Sequence, residues 1–398
     1  MSEVIHHQIV VVGGGTAGIT VAAQLTRSWF HHRDVAIIEP LDKHFYQPLW
    51  TLVGAGLARK EATERAEESV IPRRATWIRD AVTEFLPEQN TIRTRDGKTI
   101  TYDWLIIGAG LQINWDKIAG LKEAIGKNGV CSNYSYATVD TTWEAIRNFR
   151  GGNAVFTNPS GAVKCGGAPQ KIMYLADDRF REARIRDSTK IIYASALPSI
   201  FAVEPYKATL EQVIVRKQID CRFRHELIAI RGESKEADFM NLDTQQTVTI
   251  PYDLLHVTPP MGPPSFISNS PIADRQGWVD VDKDTLRHVR YANLFALGDC
   301  SNLPTSKTGA AIRKQAPVVV KNLIAAMNGQ PLSARYDGYT SCPLVTGIGR
   351  LVLAEFNYQK EPDETFPVDQ SKERWSMWML KRYLLPLFYW NGMLKGRV

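Results

Sequence analysis

Between Gln8 and Glu39 the chain reads QIVVVGGGTAGITVAAQLTRSW and then DVAIIEP, and no other stretch constrains its folding so tightly. A run of branched apolar residues, Ile9 to Val12, is followed by glycines, a helix-period pattern and a second apolar run closed by an acid. That order specifies one βαβ unit. Gly13, Gly15 and Gly18 match G-x-G-x-x-G, and Glu39 stands 24 residues beyond Gly15. The first glycine permits a tight turn, the second lets the backbone approach a pyrophosphate, and the third lets the helix pack on the strand. The first helical turn, with Thr16 and Ala17, then presents unpaired N–H groups to an anion, and Glu39 is suited to accept hydrogen bonds from an adenosine ribose.

A second βαβ region begins at NAVFTNPSGAVKCGGAPQKIMYLADDRF, with an expected strand at 154–157 and a helix from about Pro169 to Phe180. Its loop holds Pro159, Lys164, Cys165 and Gly166-Gly167 and no G-x-G-x-x-G, so a nicotinamide donor is disfavoured. Cys165 precedes a helix whose first turn is marked by Pro169, and Lys164 is its neighbour. A positive helix end and an ammonium both lower a thiol pKa, which makes Cys165 a candidate thiolate. An inert packed cysteine is the plainer alternative.

Composition narrows the class. The 398 residues suffice for two or three domains, and 44% hydrophobic with 23% charged residues exclude a disordered chain. A net charge of +6 is too small to argue for nucleic acid. Cys131, Cys165, Cys221, Cys300 and Cys342 are too dispersed for a disulfide framework and contain no C-x-x-C pair. The adjacent pairs His6-His7 and His31-His32 lack the i, i+4 spacing of a helical metal site, so no metal is expected. The chain enters its first strand within ten residues, leaving no room for a signal peptide, and no run approaches the roughly 18 apolar residues of a membrane span.

Two further segments carry a resemblance. YDWLIIGAG, containing Gly108 and Gly110, and YANLFALGDC, ending in Gly298-Asp299-Cys300, are similar to the segments that close the FAD domain in flavoproteins with two dinucleotide-binding domains. There the aspartate matching Asp299 holds the ribityl chain; capping of the next helix is the alternative. That helix carries Pro317 and is expected to begin near Thr308 and Gly309, where its dipole and Lys307 would favour a reduced, anionic flavin ring.

The resemblance becomes specific over HFYQPLWTLVGAG, VKCGGAPQKIMYL, LHVTPPM, GWVDVDKDTL, NLPTSKT, YDGYTSCPLVTG and FPVDQSKER. From about Gln8 to Lys395 the chain resembles the sulfide:quinone oxidoreductases, particularly the branch containing the mitochondrial enzymes. The resemblance implies an α/β protein of two Rossmann-like domains with a C-terminal membrane-interface helical segment. It implies FAD, hydrogen sulfide, a membrane quinone (ubiquinone or menaquinone) and a redox-active cysteine pair matching Cys165 and Cys342, 177 residues apart. It also points to Gln47 and to Val82, in the strand-like IRDAVTEF, as FAD positions. Sulfide would attack the disulfide, and the lower-pKa thiol leaves faster, so Cys342 is expected to receive the sulfur and Cys165 to donate to the flavin. Cys131 is read as a packed residue, with an accessory thiol as the alternative; Cys221 and Cys300 match no catalytic position, and Cys300 is expected to pack.

On this reading residues 1–135 and 270–330 form the FAD domain, 136–269 a second Rossmann-like domain without the nicotinamide motif, and 331–398 a C-terminal region. Residues 371–398 combine Trp375, Trp378, Met379 and Tyr383 at helical spacing with Lys372, Arg374, Lys381, Arg382, Lys395 and Arg397. Six basic residues against the single acid Glu373 put most of the net charge there. A short aromatic, basic helix is expected to lie in the headgroup plane of a membrane; a helix docked on the core is the alternative. A peripheral position on the cytoplasmic face of a bacterial plasma membrane, or on the mitochondrial inner membrane for a processed form, follows. The sulfur acceptor (sulfite, glutathione, sulfide or another thiol) and any homo-oligomer stay open. Two competing readings are an NAD(P)H:quinone dehydrogenase of the same fold, which the missing glycines oppose, and a flavin-bearing interaction protein, which has no need of paired thiols.

Overall fold

The computed structural model describes residues 4–27 and 33–398. Strand β1 (Val4–Val12), helix α1 (Thr16–Thr26) and strand β2 (Val35–Ile38) form the expected βαβ unit. Ile9 to Val12 and all of β2 are buried, as parallel strands covered on both faces must be. Small residues let α1 lie close to the sheet, and a Cβ on Gly18 would stand 1.8 Å from the Gly13 carbonyl oxygen. β3 (Ala75–Ile78), β4 (Val82–Leu86), β5 (Thr91–Thr94) and β6 (Thr99–Ile107) extend this sheet in the order β3-β2-β1-β6-β5-β4. The stretch IRDAVTEF is two strands rather than one. The buried Asp80 carboxylate accepts from the Ala81 and Asp96 amides, at 2.8 and 3.3 Å, and turns the chain, so that Val82 opens β4.

The second sheet contains β7 (Val130–Cys131), β8 (Gly152–Asn158), β9 (Thr189–Ser195), β10 (Asp220–Phe223) and β11 (Leu254–His256). Its strands are parallel and ordered β7-β11-β8-β9-β10. Helix α2 (Ala168–Glu182) crosses from β8 to β9 and buries Ile172, Met173, Tyr174, Leu175 and Phe180. Each such side chain removed from water contributes about 1.5–3 kcal/mol. The chain then returns to the first sheet, where β12 (Leu294–Ala296) pairs with β6. Helix α3 (Gly309–Met327) packs on α1 and contains Pro317. A hairpin of β13 (Thr340–Gly347) and β14 (Arg350–Phe356) lays its first strand across α2.

The C-terminal segment is helical but not uniform. Helix α4 (Trp375–Met379) runs into a five-residue π-helical turn, Leu380–Leu384, and then α5 (Leu385–Asn391). Pro386, in the first turn of α5, has no N–H to give and crowds the carbonyl four residues back, which accounts for the wide turn before it. No helix among the described residues is long and apolar enough to cross a membrane. His6 and His7 face Thr101 and Asp34 on the outer part of β1; the pair His31-His32 lies outside the described residues.

Candidate active site

The fold brings the two distant cysteines together. Cys165 sits in the loop before α2 and Cys342 near the start of β13, and their Sγ atoms are 3.0 Å apart as thiols, about 1 Å beyond disulfide bonding distance. Gly167 permits this approach, since a Cβ there would meet Cys342 Sγ at 2.6 Å and Leu344 at 2.3 Å. The second glycine cluster thus makes room for a sulfur atom rather than for a pyrophosphate. Cys165 has a φ of 57°, an uncommon conformation for a side-chain-bearing residue. It is held by its amide donating to the Lys307 carbonyl (2.8 Å) and its carbonyl accepting from Ala168 (2.7 Å).

The cation on Cys165 is not the sequence neighbour. Lys164 turns away, donating to Gln47 Oε1 (2.7 Å) and the Tyr134 carbonyl (2.9 Å), and burial lowers its pKa to about 8. Lys171, one turn into α2 and 3% exposed, places its Nζ 3.2 Å from Cys165 Sγ. The hydrogen bond from Cys342 and the Lys171 ammonium together hold the Cys165 thiol well below its usual range. That same hydrogen bond, with burial, pushes Cys342 up. Burial opposes charge on Lys171, but the two sulfurs outweigh it and keep the amine protonated. The remaining thiols go the other way. Burial raises Cys131 and Cys221 to about 12 and Cys300 to about 11, in keeping with packed roles.

A second buried amine enters from the C-terminal segment. Lys381, expected on the surface, is 4% exposed because the π-helical turn rotates it inward. It donates to the Pro48 carbonyl (3.0 Å), and burial and then the Lys171 charge bring its pKa to about 7. No local pattern in the sequence announces it. Lys171 was findable: six residues past Cys165, it occupies the first turn of a helix whose start Pro169 marks.

The residues expected to hold FAD line one edge of the first sheet. A Cβ on Gly13 would meet the Gly108 carbonyl at 2.7 Å, so the two loops touch, whereas nothing lies within 4 Å of a Cβ on Gly15 or Gly110. That open space beside the start of α1, where no side chain caps the helix and the first-turn N–H groups have no partner within it, is what a pyrophosphate needs. Glu39 closes the cradle, accepting from the Gly14 amide at 2.7 Å and the Leu41 amide at 2.8 Å. The Asp299 carboxylate, at the carboxyl end of β12, accepts no hydrogen bond among the described residues and is free for a hydroxyl-bearing chain. Lys307 donates to the Asp299 and Ser301 carbonyls (2.7 and 3.0 Å) and lies 3.8 Å from the Trp278 ring. Thr308 caps α3, its Oγ1 accepting from Ala311. Gln47 is exposed beside Lys164. These features fit a flavin dinucleotide.

The C-terminal segment has two faces. Met377, Trp378, Lys381, Tyr389, Met393 and Leu394 are buried, so Trp378 packs inward instead of joining an outer aromatic face. The outer face is Trp375, Tyr383, Leu384, Leu387 and Phe388, with Leu387 58% exposed. Arg382 lies over the Tyr383 ring at its border. Docking on the core and an uncovered apolar face therefore coexist.

Residues 7–144 match the family model described as pyridine nucleotide-disulphide oxidoreductase. A protein of Dictyostelium discoideum named mitochondrial sulfide:quinone oxidoreductase is 51% identical over 392 residues, 98% of this chain and 86% of that relative. Its namesake in Mus musculus is 48% identical, over 98% of this chain and 87% of that relative. The X-ray structure of the sulfide:quinone oxidoreductase of the hyperthermophilic bacterium Aquifex aeolicus superposes with a TM-score of 0.82, covering 99% of this chain and 92% of that one at 18% identity, a likeness of fold.

Proposed function

This chain belongs to the sulfide:quinone oxidoreductases, FAD-dependent enzymes, and from that premise we infer that sulfide sulfur is taken up at the pair Cys165 and Cys342. The observation that carries the reading is the asymmetry of two sulfurs 3.0 Å apart, one of them 3.2 Å from a buried ammonium.

Hydrosulfide attacks the sulfur of Cys342 in the Cys165–Cys342 disulfide. An S–S bond forms to the incoming sulfur, the old one breaks, and Cys165 leaves as the thiolate that Lys171 stabilises. Cys342 then carries the persulfide. A small nucleophile (sulfite, glutathione, a second sulfide or another thiol) takes the outer sulfur and leaves Cys342 as a thiol. Re-forming the disulfide releases two electrons and the proton of Cys342. When bound, FAD supplies the acceptor for those two electrons and delivers them to a quinone. Gly13, Gly15, Thr16, Ala17, Gly18, Glu39, Gln47, Val82, Gly108, Gly110, Asp299, Lys307 and Thr308 are the residues that would hold it.

The outer face of 375–388, rich in Trp, Tyr, Phe and Leu and bordered by Arg382 and Arg374, suits the headgroup region of a membrane and supports peripheral attachment there. A quinone with a long apolar tail would approach along it. The deciding experiment is anaerobic addition of sulfide or NADH to the FAD-loaded protein. Sulfide alone should bleach the absorbance near 450 nm; bleaching by NADH instead would favour a nicotinamide-dependent dehydrogenase, and no response to either would leave an inactive flavoprotein.

A further inference from the structure

One buried polar chain is not used by the thiol chemistry. Tyr389, on α5, is 4% exposed, and its hydroxyl lies 2.5 Å from His44 Nε2 and 2.8 Å from Thr16 Oγ1. His44, 3% exposed, sets its Nδ1 3.0 Å from the Gly14 carbonyl and 3.5 Å from Glu67 Oε2. Glu67 is itself buried, and its other oxygen has no hydrogen-bond partner among the described residues. The Gly14 carbonyl can only accept, so in the neutral ring Nδ1 carries the hydrogen and Nε2 accepts from the Tyr389 phenol. The Thr16 hydroxyl then donates to the phenol oxygen. Tyr46 packs on the same ring, with centroids 4.6 Å apart.

These contacts fall on both sides of the glycine turn. Gly14 and Thr16 flank Gly15, whose open side is the cradle, and the Gly14 amide donates to Glu39. We infer that Tyr389 is a positioning residue for the cofactor: through His44 and Thr16 it fixes the turn from Gly14 to Thr16, so that docking of the C-terminal segment and binding of the dinucleotide favour each other. The inference rests on FAD occupying the glycine cradle. A glycine-rich turn has much conformational freedom to lose, and whatever orders it beforehand reduces what the ligand must supply. The favour is mutual, because a coupling between two binding equilibria acts equally in both directions.

The test uses the full chain with FAD removed. Losing one net hydrogen bond at the latch should weaken FAD binding of Tyr389→Phe by about tenfold. His44→Gln should weaken it similarly, and the double variant by little more than either single one, since both interrupt the same chain. A purely structural role would lower the melting temperature of the FAD-free protein and leave FAD affinity unchanged. The reciprocal arm needs no variant: FAD should slow tryptic cleavage of the wild-type chain after Arg382 and Lys395 by about tenfold. Equal FAD affinity in wild type and Tyr389→Phe, or equal cleavage with and without FAD, would overturn the inference. A wild-type protein that takes up no FAD would instead sink the reading beneath it.

Discussion

Replacing Lys171 by Met tests the thiol chemistry at its most specific point. The Lys171 amine, itself buried, is 3.2 Å from Sγ of the half-buried Cys165. A hydrogen bond to a charged partner is worth about 1.5–3 kcal/mol. At about 1.4 kcal/mol per pKa unit, its loss should raise the Cys165 pKa by about one to two units. The sign follows from the direction of the shift. A thiol held below its usual range is thiolate at neutral pH, so removing the cation moves its titration, and with it the pH profile of its reactivity, upward by that amount. The assay is the rate of alkylation against pH in a Cys342→Ser background, where the serine hydroxyl keeps a donor beside Cys165. Cys131, Cys221 and Cys300 titrate far higher, so they stay silent. Lys171→Arg should retain most of the effect, and the pH dependence of sulfide reduction by the Lys171→Met enzyme should move upward by the same one to two units. Identical alkylation profiles with Lys171 present and in the Lys171→Met variant would refute the argument.

Three other outcomes follow. Gly167→Ala puts a methyl 2.6 Å from Cys342 Sγ, so both cysteines should stay titratable by a thiol reagent after mild oxidation, at a stability cost of about 1–3 kcal/mol. Gly15→Ala meets nothing in the folded chain, so the FAD-free variant should melt with the wild type while binding FAD at least about tenfold more weakly. Leu384→Glu with Leu387→Glu, both more than half exposed, should lower partition onto anionic lipid vesicles by about tenfold or more without changing sulfide bleaching of the flavin. Deleting 371–398 outright is the poorer experiment, since it would uncover the core that Trp378, Tyr389 and Leu394 help to fill.

How much of this was legible beforehand depended on range. The βαβ unit, the glycine turn with Glu39, and the capped helix at Thr308 are written in consecutive residues, and local periodicity and turn chemistry suffice to read them. The cysteine pair was reached by resemblance, because nothing local to Cys342 on a buried strand distinguishes it from a packing residue. Adjacency in sequence points to Lys164 as the cation on Cys165, yet it is a poor guide in a loop: at a φ of 57° for Cys165 the chain reverses, and the helix one turn later supplies the cation from Lys171. Lys381 and Tyr389 were missed for a different reason. Their roles exist only where the C-terminal segment folds back on the glycine turn and the loop after β2, and an even helical spacing drawn over 375–383 cannot anticipate a π-helical turn.

That turn also sets what kinds of change the tail tolerates. An α-helix advances about 100° and 1.5 Å per residue. Because the wide turn already accommodates one extra residue, deleting one from Leu380–Leu384 would relax it to an ordinary turn and leave α5 in phase, whereas adding one would swing all of α5 through roughly that angle. Leu387 would roll towards the core and Tyr389 out of reach of His44, while every side chain kept its identity. The segment therefore accepts substitutions along its outer face but not an added residue. It behaves as a phase-locked element, whose information is carried as much by the count of residues as by their chemistry.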